Sequence, residues 1–145
     1  MEGEVDVMTE RWITGLGKVY HKWKNTIFID VPRKEIIKAL GKANEKGAIL
    51  NDVAGYDNGK EYEVSYTFTT GGEVFTLRTR ISRVKPEIES ATKLFPGAEL
   101  MERECFESLG IDFPGNPFLK NVLHDKTTPK TPLRRKEAKD AREKT

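Results

Sequence analysis

The strongest constraint in the chain is a pair of alternating segments on either side of Gly71-Gly72. In 61–70, EYEVSYTFTT, residues Tyr62, Val64, Tyr66 and Phe68 share one face and charged or hydroxyl residues the other. In 73–84, EVFTLRTRISRV, residues Phe75, Leu77, Thr79 and Ile81 oppose Val74, Thr76, Arg78 and Arg80. Successive side chains of a strand point to opposite faces, so each segment predicts a strand with one buried and one wet face. Gly71 and Gly72 suit the two central positions of a tight hairpin turn.

The remaining segments add helices to this sheet. Residues 4–17 read as an amphipathic helix, with Val5, Met8, Trp12 and Leu16 near helical spacing and Gly15 and Gly17 at its end. VYHKWKNTIFIDV (19–31) predicts one strand with Ile27, Ile29 and Val31 on a common face. Pro32 and Arg33 open a helix whose stripe is Ile36, Ile37, Leu40 and Ala43, closed by Gly47. AILNDVAGY (48–56) predicts a further strand, followed by the turn Asp57-Asn58-Gly59. A short acidic segment (86–95) leads to a helix from Pro96 to Leu109, stopped by Gly110, with Ala98, Met101, Cys105, Phe106 and Leu109 facing a core. The expected fold is α+β: an antiparallel or mixed sheet of about four strands, helices packed on it, and an extended C-terminal tail. The domain is expected over 1–119, and the tail, able to wrap a partner, over 120–145.

Composition narrows the class. A chain of 145 residues with 33% charged and 37% hydrophobic residues is expected to form one soluble domain. No apolar run approaches the ~20 residues that span a bilayer. The acidic N-terminus, MEGEVDVMTE, lacks the apolar core of a secretory signal. Cys105 is the only cysteine, so no intrachain disulfide forms. Glutamine is absent while Lys, Arg and Glu abound, a balance found in proteins from hot environments. From Lys120 onward nine Lys/Arg stand against four Asp/Glu, so the tail is basic and the body mildly acidic.

Catalytic constellations are absent from the pattern. Glu102 and Glu104 point ~200° apart on a helix and are no acid/base couple. Cys105 lies on an apolar stripe among carboxylates, which raises a thiol's pKa and disfavours a nucleophile. His21 and His124 are the only histidines, and no Cys/His/Asp set has metal-ligand spacing. No Gly-rich phosphate loop occurs. Glu99, Arg103 and Glu107 succeed one another at i, i+4, which fits a self-paired solvated helix face as well as a contact surface. After Gly110 come Ile111, Phe113, Pro114, Pro117, Phe118, Leu119, Val122 and Leu123. These suggest either a docking surface or a loop folded back over the sheet. A nucleic-acid module using the basic tail with Arg78, Arg80 and Arg83 is the alternative, though the tail mixes acids with its bases and lacks interleaved aromatics.

MERECFESLGIDFPGNPFLKNVL, followed by TPLRRK, resembles the signature of the C-type, or thirty-kilodalton, subunit family of respiratory complex I and related membrane-bound hydrogenases. Its matches include Glu102, Arg103, Glu104, Phe106, Glu107, Gly110, Ile111, Phe113, Gly115, Pro117, Leu133 and Arg134. Asn116 stands where that pattern usually has His, and Glu107 where it usually has Asp. These departures, with the short length and composition, fit an archaeal membrane-bound hydrogenase or sulfur-reducing relative. The resemblance implies a connecting subunit without a cofactor of its own. Fe–S clusters, and in one branch a NiFe centre, would sit in partner subunits. It implies docking to the hydrogenase-like large subunit and neighbouring Fe–S subunits, on the cytoplasmic face of the membrane, with the membrane arm reached indirectly and no nucleic acid. The interface expected from it comprises Glu102, Arg103, Glu104, Gly110, Phe113, Gly115, Pro117, Leu133, Arg134 and Arg135.

Overall fold

The computed structural model describes residues 11–119. The residues before and after, including the basic tail with Leu133, Arg134 and Arg135, lie outside the described residues. Of the first predicted helix, the described part is α1, Arg11–Thr14. Then come β1 (Lys18–Trp23), β2 (Thr26–Asp30), a 3-10 turn (Arg33–Glu35), α2 (Ile36–Glu45), β3 (Ile49–Asp57), β4 (Tyr62–Thr70), β5 (Glu73–Ile81) and α3 (Ala98–Leu109).

The expected α+β architecture is present, with five strands in the sheet rather than about four. The extra strand comes from 19–31, which is a hairpin and not one strand. Lys24 takes a positive φ of 57°, and Lys24-Asn25 turns the chain between β1 and β2. Its turn residues include no glycine, so the alternation runs on unbroken in the sequence. The sheet order is β1-β2-β5-β4-β3. β2 and β5 run parallel while all other neighbours are antiparallel. A parallel neighbour requires a crossover. Here α2 carries the chain from β2 to the far edge, and the β3-β4-β5 meander walks back.

The hairpin phase is as the alternation predicts. Gly71 and Gly72 both adopt positive φ, 50° and 83°, and Thr70 pairs with Glu73. Tyr62, Val64, Tyr66, Phe68, Phe75, Leu77, Thr79 and Ile81 are buried on one face. Ile27 and Ile29 of β2 join them, as do Ile36, Ala39, Leu40 and Ala43 of α2. α3 lies against β3 and adds Ala98, Cys105, Phe106 and Leu109. Each fully buried large side chain contributes about 1.5–3 kcal/mol relative to exposure, so this one layer of helices over one sheet face is the main source of stability.

The opposite face is wet and carries ion pairs. The Arg78 guanidinium donates to both oxygens of Asp30, at 2.7 and 2.9 Å. Arg80 lies 3.7 Å from both Asp30 and Glu63. At the sheet end Arg83 donates to Asp57 at 2.7 and 3.1 Å.

Close packing of α3 on β3 depends on Gly55. A Cβ there would stand 2.9 Å from Leu109 Cδ1 and 3.4 Å from Ile111 Cδ1. Gly55→Val is therefore expected to push the helix off the sheet and cost about 1–3 kcal/mol. Urea denaturation of the two proteins side by side checks this, and an unchanged midpoint would mean the helix has room to move.

A buried carboxylate and the outward face of the motif helix

The motif helix α3 begins at Ala98, two residues after Pro96, and ends at Gly110. Gly110 is left-handed, with φ 77°, and its N–H donates to the Phe106 carbonyl at 2.8 Å. That conformation is strained for any residue with a Cβ. The chain then turns back under the helix. Residues 86–90 and 112–114 run alongside each other, with Asp112 N–H donating to Pro86 O, Ile88 N–H to Asp112 O and Ser90 N–H to Pro114 O.

This arrangement buries Glu102, which is 0% exposed. The sequence placed it among the expected interface residues; in the structure it points inward. One carboxylate oxygen accepts from the Ser90 hydroxyl at 2.7 Å and from the Asn116 amide at 2.9 Å. The other accepts from the Ala91 N–H at 2.7 Å. Asn116 also donates to the Glu99 carbonyl at 3.2 Å. Its own oxygen accepts from the N–H groups of Phe118 and Leu119 at 2.9 and 3.2 Å. Asn116 thus caps a helical turn opening with Pro117 at its first position. The Asn-Pro pair is a local sequence signal for that turn. The Ser90 and Ala91 contacts have no local signal.

Burial raises the Glu102 pKa above the ordinary carboxylate value, and the three hydrogen bonds from Ala91, Ser90 and Asn116 oppose that rise. Cys105 is buried beside Val53 O and its thiol is pushed up to about 12, first by burial and then by Asp52, Glu102 and Glu104. Of the two readings left open for the residues after Gly110, the described part takes the folded-back one: Ile111, Phe113 and Leu119 are buried within the domain itself. The loop folds back and fills the space between α3 and the 86–95 segment.

The predicted interface residues therefore divide. Glu102 and Phe113 are interior. Arg103, Glu104, Gly110, Gly115 and Pro117 keep some solvent contact. Arg103 lies 3.4 Å from Glu107 and 4.3 Å above the Phe118 ring, while the predicted Glu99 partner is not engaged among the described pairs. Arg103 and Phe118, with Pro96, Gly97, Glu99 and Leu100, line a notch of about 360 Å³. Leu100 is 60% exposed beside it. Among the described residues no group of three or more His, Cys, Asp or Glu could hold a metal ion. No helix among them is long and apolar enough to cross a membrane. The arginines considered for nucleic acid, Arg78, Arg80 and Arg83, are each matched by carboxylates.

Comparison with known proteins gives this surface a context. Residues 29–143 match the family described as respiratory-chain NADH dehydrogenase, 30 Kd subunit. The chain belongs to that family. It is 28% identical over 99 residues to the C-type subunit of NADH-quinone oxidoreductase from Moorella thermoacetica, covering 64% of this chain and 67% of that one. It is 34% identical over 90 residues to the corresponding protein of Bartonella tribocorum, covering 59% of this chain and 44% of the relative. The match thus spans less than half of the Bartonella protein. Among solved structures, a chain of an archaeal respiratory complex, the membrane-bound sulfane sulfur reductase, superposes with a TM-score of 0.67 at 21% identity, over 80% of this chain and 72% of that chain. A trypsin-resistant fragment (1–134) of Nqo5 superposes with a TM-score of 0.60 at 20% identity, over 81% of this chain and 98% of the fragment. The fold of this 30-kilodalton-type subunit is thus shared with both.

Two outcomes follow from the buried groups. A folded-state pKa above the unfolded one means the native protein binds the extra proton, so this group's stabilisation is full at low pH and is lost as pH rises through the raised value. Glu102→Gln removes that slope. It also turns an amide toward one of three donors and is expected to cost about 1–3 kcal/mol. Urea titrations of both proteins from pH 4 to 8 read both effects; equal slopes would show that Glu102 is not the source. Cys105 is expected to resist iodoacetamide at pH 8 in the native protein and to react on unfolding, as mass spectrometry would report.

Proposed function

We propose that the chain is a connecting subunit of a complex I-like or related membrane-bound oxidoreductase, carrying no redox centre and docking the hydrogenase-like large subunit through the outward face of α3. Family membership supports the assembly, and the split of the motif helix supports the surface. Glu102 turns inward and locks the helix to its own domain. Arg103, Leu100 and Phe118 are thereby held outward in a fixed geometry. Rigid presentation of an arginine and an apolar neighbour lowers the ordering cost of association. Arg103 is suited to bidentate pairing with a partner carboxylate, and the notch beside Leu100 to an apolar side chain. In this reading the protein holds its partners in register at the cytoplasmic face, and electrons pass through neighbouring chains.

A free nucleic-acid module is less well supported, because Arg78, Arg80 and Arg83 are already paired with carboxylates.

Arg103→Ala tests the reading. In the free domain it removes a half-exposed ion pair and a ring contact, together about 1 kcal/mol or less. In the complex it strands a partner carboxylate, an expected loss of roughly 2–5 kcal/mol. Melting of the lone domain and recovery of the large subunit with a tagged chain separate the two. Outright melting of the free domain would make Arg103 an internal brace, and an unchanged recovery would place the interface elsewhere.

A further inference from the structure

The edge strand β1 combines three features that neither the core nor the α3 surface uses. The first is exposure: Trp23 is 60% exposed, and Val19 and Tyr20 are also open. The second is charge. Residues 11–29 contain four Lys/Arg and no Asp/Glu, and three of the four, Lys18, Lys22 and Lys24, lie on β1 or its turn. None of the three lysines makes an ion pair among the described residues, and Lys24 Nζ sits 4.7 Å from the Trp23 ring. The third is its edge position: among the described residues β1 hydrogen-bonds only to β2.

The rest of the wet sheet face behaves differently. Arg78 and Arg80 are neutralised by Asp30 and Glu63, so beside them, among the described strands, it is the β1 margin that carries unpaired positive charge. Lysines on an edge strand repel a second copy of the same strand and so block self-pairing. The same lysines favour a strand or loop of opposite charge. An exposed Trp is the kind of side chain that anchors the centre of a protein interface, with charged groups at its rim. A phosphate backbone crossing the sheet would meet the Asp30 and Glu63 carboxylates next to the patch.

We propose that β1 is a second docking surface, which receives an acidic, partly apolar extended segment of another subunit, carboxylates on Lys18, Lys22 and Lys24 and an apolar side chain on Trp23. This rests on the reading of the chain as a subunit of an assembly. In that assembly α3 and β1 would grip different segments, since α3 packs at β3, on the far edge of the sheet from β1.

The complex purified through a tag on the full chain provides the test. Treatment with a water-soluble carbodiimide is expected to join Lys18, Lys22 or Lys24 to Asp or Glu residues of a neighbouring subunit, read by mass spectrometry. Acetylation of these lysines is expected to fall about tenfold in the complex relative to the free chain. The double variant Trp23→Ala, Lys22→Glu is expected to lower recovery of that neighbour about tenfold while its own melting temperature stays the same, as suits an exposed hot spot. Lysines acetylated equally in both states would overturn the assignment of β1 while leaving the subunit reading intact. So would cross-links only to the chain's own acidic residues within 1–10. So would binding to phosphatidylglycerol vesicles or to RNA that the double variant abolishes, in favour of those partners. Failure of the tagged chain to recover any oxidoreductase subunit would remove the subunit reading and this inference with it.

Discussion

The described segments that follow β5 meet around one carboxylate. Glu102 is a buried charge-bearing group with no ion-pair partner among the described residues, and such a group is tolerated only when its hydrogen-bonding capacity is filled. Ser90, Ala91 and Asn116 fill it, and they come from the segment before α3 and the loop after it. The carboxylate therefore ties to α3 two stretches of chain that have little regular structure of their own. Removing any donor leaves a polar group stranded in the interior, so the knot is cooperative. Its functional consequence is orientation: with Glu102 held inward, the helix has a single rotation, and Arg103 and Leu100 face outward in every molecule.

The sheet contributes a second constraint. The parallel pairing of β2 with β5 buries β5 between β2 and β4 and leaves β1 and β3 as the edges. α3 attends to β3, where Gly55 removes the side chain that would hold the helix away. On β1, exposed or half-exposed residues occupy all positions. A domain built this way presents two different surfaces at opposite edges of one sheet.

The wet face separates structural charges from available ones. Arg78 stacks 3.8 Å from the Tyr20 ring and forks onto Asp30, while Arg83 forks onto Asp57. Bidentate guanidinium–carboxylate pairs of this kind fix side chains across strands. They leave arginine-rich strands that read as basic in the sequence nearly neutral in the fold. Cross-strand register, β2 against β5, is what brings Asp30 and Arg78 together from 48 residues apart.

Local pattern determined what depends on neighbours along the chain. The alternation in β4 and β5, the Gly71-Gly72 turn, the stripe of α2 and the stops at Gly47 and Gly110 follow from strand and helix periodicity and from glycine's freedom at positive φ. The burial of Cys105 among acidic neighbours was legible too, because its helical position set both. The glycine-free turn at Lys24-Asn25 was not, since Lys24 adopts its left-handed backbone only in the company of the paired strands. Nor was the inward side of Glu102. Spacing on a helix says which residues share a face, but whether a face meets water or a Ser90-Ala91-Asn116 cradle is decided by how distant segments fold against it. The same holds for Ile111 and Phe113, whose apolar character was plain and whose destination, the domain's own interior, only the tertiary packing chose.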